Sequence, residues 1–329
     1  MDLDAIQFKR NLITTVRTFF TDRGFFEMET PLLVKSPAME STLHGFETTY
    51  IDHSNREHSY YLPTSPEFAL KKALAQFQKP IFEICRVFRN RGELGPLHHP
   101  EFNMLEWYEP GDYSKSVETV TALIEYLTSS LPEQYLKSDL EWSGPFREWT
   151  IQELFHKYAS MDLVRGIADQ TYWLNAGCRV LGQKLDPDET FEDIFFRVWL
   201  DCIEPNLGRT GPVIVKDYPP SMAALARLKP DDESWAERWE LYINGIEIGN
   251  AFGELTDSEE LRERWKAAGI QRQQNGFSGH PVDADVVEAV GRMHETTGVA
   301  IGIERLGMAL SGIQDIRRFF INPLDNGAG

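Results

Sequence analysis

Basic residues are in short supply. The 329-residue chain carries 33 Lys and Arg against 51 Asp and Glu, a formal net charge of −18. A protein that grips a long stretch of nucleic acid concentrates cations against phosphates, so this chain repels polyanions on average and only a local basic patch would hold one. Cysteine is scarcer still. Cys85, Cys178 and Cys202 are too few and too scattered for a disulfide framework or a paired-cysteine metal site, and they read as reduced thiols of a cytoplasmic protein. No apolar run approaches the roughly 18–20 residues of a membrane helix. The opening Met1-Asp2-Leu3-Asp4 lacks the basic-then-apolar layout of a secretory signal. Internal repeats and low-complexity linkers are missing too. What is left is ordinary for an enzyme, with 42% apolar and 26% charged residues and length enough for a substantial core.

Local patterns place the elements. Leu12, Ile13, Val16, Phe19 and Phe20 at helical spacing predict a helix over 5–23 stopped by Gly24. A short strand follows at 25–30, ended by Pro31. Thr64-Ser65-Pro66-Glu67 has the spacing of a capping box and opens a helix through about Gln76. Residues 81–89 and 101–109 read as strands, and 239–249 as a hairpin turning at Asn244-Gly245. Helices near 283–294 and 303–311 flank a strand near 298–302, while 113–235 mixes helices and loops without a chemical signature. Strands and helices do not alternate strictly, which predicts an α+β fold with a mainly antiparallel sheet.

Strand alternation puts Phe102, Met104, Glu106 and Tyr108 on one face, which suits either a core with a satisfied Glu or a ligand surface. In the hairpin a two-residue turn sets Tyr242 against Glu247 and Glu240 against Gly249, so Glu240 and Glu247 become diagonal neighbours on one face. Two carboxylates that close repel unless a cation lies between them, and Mg²⁺ suits oxygen ligands; a solvated outer face remains the alternative. Arg89 ends one strand and Arg305 opens a helix after Gly302, where a ligand can approach the backbone. Guanidinium groups bind phosphate in forked geometry and stack on rings, although either arginine alone would suit a surface ion pair. His98 and His99 point in different directions and lack a third ligand, which argues against zinc.

Taken in order, Gly24 to Pro31, Phe88-Arg89-Asn90 through His98-His99-Pro100-Glu101-Phe102, and Gly302-Ile303-Glu304-Arg305-Leu306 resemble the three signature motifs of class II aminoacyl-tRNA synthetases. The resemblance spans nearly the whole chain and is weakest across 113–235. It implies a single catalytic domain over 1–329 with an insertion at 113–235. Thr64 to Glu67, Met104 to Tyr108 and Gly249 to Leu255 resemble the lysine branch, and most closely its truncated paralogues, the elongation factor P lysine ligases. Ala300 stands where lysyl-tRNA synthetases usually have glycine, and the first helix begins too early to leave room for an N-terminal anticodon-binding domain.

The resemblance implies activation of lysine or β-lysine with ATP and Mg²⁺ as an acyl-adenylate, then transfer to a lysine side chain of elongation factor P. A free-standing lysyl-tRNA synthetase-like enzyme, a small-molecule amino-acid ligase and a non-catalytic regulatory paralogue are the alternatives. Arg89 and Arg305 become the catalytic pair. Arg89, Asn90, Arg91, Glu93, His99, Phe102, Glu240, Glu247, Ile248, Gly302 and Arg305 become the ATP site, with Glu240 and Glu247 holding the metal. Ser65, Pro66, Glu67, Glu106, Tyr108, Asn250, Phe252, Glu254 and Ala300 become the amino-acid pocket, in which Glu254 and Tyr108 receive the distal ammonium. Strict alternation sets Asn250, Phe252 and Glu254 on the face opposite Glu247, so one site for all of them requires a bulge or turn near Gly249. The second motif departs from the family after Arg89-Asn90. An acidic residue is usual there, whereas this chain has Arg91-Gly92-Glu93. His99 and Glu304 likewise replace the more common Asn and Asp. A homodimer is implied, its interface covering part of the stripe Leu12, Val16 and Phe19. Stable tRNA binding and membrane attachment are not expected.

Overall fold

The computed structural model describes residues 1–137 and 139–324. Helix α1 (Leu3–Asp22) starts under the Asp2 carboxylate, which accepts from the Ala5 N–H at 3.1 Å. Its apolar face is buried, with Leu12, Val16 and Phe19 at 0% exposure in the chain's own core, packed with α3 (Tyr113–Ser130) and α10 (Ile303–Ser311). That stripe is therefore not available to a partner, and this expectation is corrected. The 3.6-residue period reports burial without saying against what.

The centre is a nine-stranded, mostly antiparallel sheet, so the α+β expectation holds. Its order is β1 (Phe26–Glu27), β4 (Ile81–Phe88), β5 (Glu101–Pro110), β11 (Thr296–Gly302), β10 (Ile246–Gly253), β9 (Asp232–Ile243), β7 (Val213–Tyr218) and β6 (Arg147–Thr150), with β8 (Leu228–Lys229) beside β9. The β1–β4 and β6–β7 pairs are parallel. A separate ribbon, β2 (Phe46–Ile51) with β3 (Glu57–Leu62), lies off the sheet. Residues 113–235 are more regular than their sequence suggests: α3 covers the main core, and β6, β7 and β9 widen the sheet. Helices α4 (Ile151–Leu154), α5 (Leu163–Ala168), α6 (Gln170–Leu181) and α7 (Phe191–Val198) build a second core around Phe155, Trp173 and Trp199. Among the described residues no helix is long and apolar enough to cross a membrane.

The hairpin turns at Asn244-Gly245 with φ of 53° and 74°, the two left-handed residues that a twisted two-residue turn requires. Tyr242 pairs with Glu247 as expected. A bulge at Ile248 then shifts the ladder, so Leu241 opposes Gly249 and Glu240 opposes Asn250. The expected Glu240–Gly249 pair is corrected accordingly. Gly249 is obligatory here because a Cβ would collide with the Ala300 carbonyl oxygen. Helix α2 (Glu67–Phe77) begins at Glu67 with Pro66 at the cap position, and no capping box forms. Ser65 Oγ accepts from the Glu67 N–H, and the Glu67 carboxylate turns instead to Lys71. Near the C-terminus, α8 (Ser258–Gln274) packs on α9 (Ala284–Val290), which is shorter than the expected 283–294 and ends at Gly291.

Candidate active site

Two joined cavities open on the sheet where β5, β10 and β11 lie side by side. The first, about 190 Å³, is lined by all nine residues expected in the amino-acid pocket. Ser65, Pro66 and Glu67 come from the start of α2, Glu106 and Tyr108 from β5, Ala300 from β11, and Asn250, Phe252 and Glu254 from β10 and the residue after it. The second, about 150 Å³, lies between Phe102 and Arg305. Arg89, Met104, Asn250 and Ala300 border both. The bulge at Ile248 makes this possible. With strict alternation Glu247 would face away from Asn250, Phe252 and Glu254, whereas the extra residue brings both sets to one groove.

The first cavity is acidic at its floor. The Tyr108 hydroxyl donates to Glu106 Oε1 at 2.6 Å, while Glu106 Oε2 is buried with no hydrogen-bond partner. Burial and the neighbouring Glu67 push the Glu106 carboxyl well above the usual range. Lys71, a residue that the sequence reading passed over, places its ammonium 2.7 Å from Glu67 Oε1 and 2.6 Å from Glu254 Oε2. Burial raises the Glu254 carboxyl to about 7 against the pull of Lys71. Glu40, from an irregular loop that gave no sequence signal, adds a fourth carboxyl raised by burial and by Glu67. Gly298 fits because a Cβ would collide with Glu254 Oε1 and crowd the Tyr108 ring. Lys71 had a signal in its i,i+4 spacing from Glu67.

The second cavity is basic on one side. Arg89 lies 5.3 Å from the Phe102 ring centre, and its Nε–H is enclosed and unpartnered. Arg305 is fixed by the Leu97 and Glu247 carbonyls at 3.3 and 3.1 Å, and its Nη1 lies 3.4 Å from Glu247 Oε2. Behind it, Glu304 is buried, accepting from Lys9 Nζ at 2.8 Å and the Asn103 N–H at 2.9 Å, which locks α1, β5 and α10 together. The cavity side of Gly302 is open, since a Cβ there would meet nothing nearer than 3.8 Å. Glu93, Ile248 and His99 also border this space. His99 has both ring nitrogens engaged: Nδ1 donates to the Glu101 carbonyl at 2.6 Å and Nε2 accepts from the Leu324 N–H at 3.1 Å. Asn90 and Arg91 do not join them. They line a neighbouring polar cavity with His44, Arg272 and His280.

Glu247 also borders a third cavity of about 210 Å³ together with Glu240. Glu240 accepts from Arg238 and from the Tyr242 hydroxyl, each at 2.6 Å. Enclosure and repulsion from Glu240 raise the Glu247 carboxyl. Each carboxylate oxygen keeps a further lone pair, so this donor set fits a hard divalent cation. The insertion contributes Glu204 to the same cavity, again without a sequence signal. Among the described residues no three metal-ligating side chains converge.

Residues 3–326 match the model of the class II tRNA synthetases that serve Asp, Lys and Asn. The chain belongs to the class II tRNA synthetases. Within that family it is similar to the elongation factor P--(R)-beta-lysine ligase of Salmonella paratyphi A, with 31% identity over 309 residues, 93% of this chain and 90% of the relative. The ligase of the same name from Salmonella arizonae is 32% identical over 307 residues, covering 92% and 90%. The mostly antiparallel sheet flanked by helices is the class II synthetase fold. Of the three segments that resemble its motifs the first, residues 24–31, lies in β1 and its flanking turns, the second in β4–β5 and their loop, and the third in β11–α10.

Proposed function

We propose that this protein is an ATP-dependent ligase that activates lysine or β-lysine as an acyl-adenylate and transfers it to a lysine side chain of elongation factor P. One observation carries the reading: a pocket with four carboxyls and an unpartnered Glu106 oxygen joins, across Arg89 and Ala300, a cavity with an unpartnered arginine N–H. One end asks for an ammonium and the other for an anion, and a diammonium carboxylate with a nucleotide triphosphate supplies both.

Substrate carboxylate oxygen attacks the α-phosphorus of ATP, and the bond to pyrophosphate breaks. The acceptor amine then attacks the acyl carbon, loses a proton, and AMP leaves. Arg89 neutralises the α-phosphate, while Phe102 and Arg305 sandwich the adenine and Gly302 gives it room. Glu93 and Ile248 border the nucleotide, and His99 contributes its ring face. Glu240 and Glu247 would hold Mg²⁺, which would offset phosphate charge. Glu254 and Tyr108 take the distal ammonium, Phe252 lies along the methylene stem, and Glu106, Asn250, Ser65 and Glu67 complete the lining. These roles are positional and electrostatic, the two terms that supply most rate enhancement in such transfers. Asn90 and Arg91, in the adjoining cavity, are outside this scheme.

We also read the protein as a homodimer through the edge of its sheet, and its acceptor as protein rather than tRNA. The −18 charge supports the latter. Intact-mass analysis tests the proposal: elongation factor P incubated with enzyme, ATP and either isomer should gain one lysyl residue. Charged tRNA with unmodified factor would instead establish the synthetase alternative.

A further inference from the structure

We propose that Lys71 is a positioning residue for the amino-acid pocket: from beneath its floor, the ammonium bridges Glu67 and Glu254 and holds both carboxylates in the geometry that receives an ammonium-bearing substrate. The inference rests on reading that cavity as a lysine pocket.

The side chain of Lys71 is 1% exposed. Its stem does not border the substrate cavity. It enters from the other side, through an apolar space lined by Leu225, Leu255, Leu261, Val286 and Val290. A leucine would fill that space without the desolvation penalty of an ammonium, so packing alone does not account for a lysine. The charge is matched instead by two oxygens at 2.7 and 2.6 Å, one from its own helix and one from the residue after β10. This bridge joins two of the elements that wall the pocket, α2 and the end of β10. Other charged and titratable groups also face it. Glu106 and Tyr108 come from β5, Glu40 from the loop before β2 and Arg227 from the residue before β8, while Arg89, the residue after β4, faces Glu40 and Glu106.

Removing the ammonium has a definite consequence. Glu67 and Glu254 lose the cation that lets them lie close together, and the Glu254 carboxyl, already raised to about 7, rises further. Protonated at neutral pH, it no longer attracts an ammonium. The nucleotide cavity, on the far side of Arg89, keeps its residues.

Lysine-dependent pyrophosphate exchange across a pH series tests this. Lys71→Met should raise the amino-acid KM at neutral pH by roughly ten- to hundred-fold, with the KM for ATP little changed. The acid limb of kcat/KM should move to higher pH, so the defect narrows as pH rises. Lys71→Arg, which keeps the charge, should return the limb toward its wild-type position. A role in packing alone would lower the melting temperature and leave the amino-acid KM and the limb in place, and that result overturns the inference. Lys71→Gln gives the same reading should the methionine variant not fold. Wild-type protein with no exchange for either lysine isomer would overturn the proposed substrate instead, which separates the two failures.

Discussion

At the scale of single residues, the pocket shows how a charged partner inside the protein changes what a substitution does. Glu254 is held by Lys71 on one oxygen and approaches Gly298 with the other. Glu254→Gln therefore removes a charge from the substrate and from Lys71 together. Breaking one partner of a buried pair costs ~3–5 kcal/mol. The lower end of that range applies here, because Glu67 still holds Lys71. The expected outcome is an amino-acid KM raised by about a hundredfold in pyrophosphate exchange, with ATP binding spared. An unchanged KM for the amino acid would place Glu254 outside the working pocket.

At the scale of elements, motif residues and hairpin were legible because their determinants are local. Asn244-Gly245 specifies its own turn, and period-2 alternation put Met104, Glu106 and Tyr108 on the right face. The break in register beyond the turn was legible only indirectly, because strict alternation sets Asn250, Phe252 and Glu254 opposite Glu247 and one site for all of them requires a bulge or turn near Gly249, where the ladder does shift. The bulge at Ile248 is enforced by the close approach of Gly249 to Ala300, a contact between residues distant in sequence. Lys71 and Glu40 were missed for a related reason: a helix face and an irregular loop reveal charge, while tertiary packing decides what that charge meets. Glu204 belongs here too. The insertion sets it beside Glu240 and Glu247, and burial followed by repulsion from Glu247 raises its carboxyl to about 7. A carboxyl raised above its unfolded value binds more protons in the folded state. It stabilises the fold at low pH, and that contribution is lost as pH rises from the ordinary carboxylate range to about 7. Glu204→Gln escapes this loss. Its stability relative to wild type should improve by about 1 kcal/mol between pH 5 and pH 8, after allowance for solvent screening at a half-buried site. Denaturant unfolding at the two pH values measures it, and a pH-independent difference would show that the repulsion is relieved in wild type.

At the scale of the whole molecule, the excess of acidic over basic residues shapes what the protein can meet. A net charge of −18 disfavours an extended phosphate backbone, while a protein acceptor can present its own lysine to an acidic groove. Association with a second copy must then rest on apolar surface and backbone pairing. The stripe Leu12, Val16 and Phe19 is unavailable, being wholly buried within the chain. What α1 leads to is available: β1 ends the sheet with both residues exposed, and Phe26, Leu32 and Leu33 are 63%, 43% and 52% exposed around it. An open sheet edge bordered by large apolar side chains is a liability in a monomer and a natural two-fold contact in a dimer. Phe26→Glu with Leu33→Glu should therefore convert a dimer to a monomer, because each charge is doubled across a two-fold axis and meets its own copy or apolar surface. Light scattering at micromolar concentration reads the mass directly. A wild-type protein that already runs as a monomer, with full ligase activity, would remove the edge from consideration as an interface.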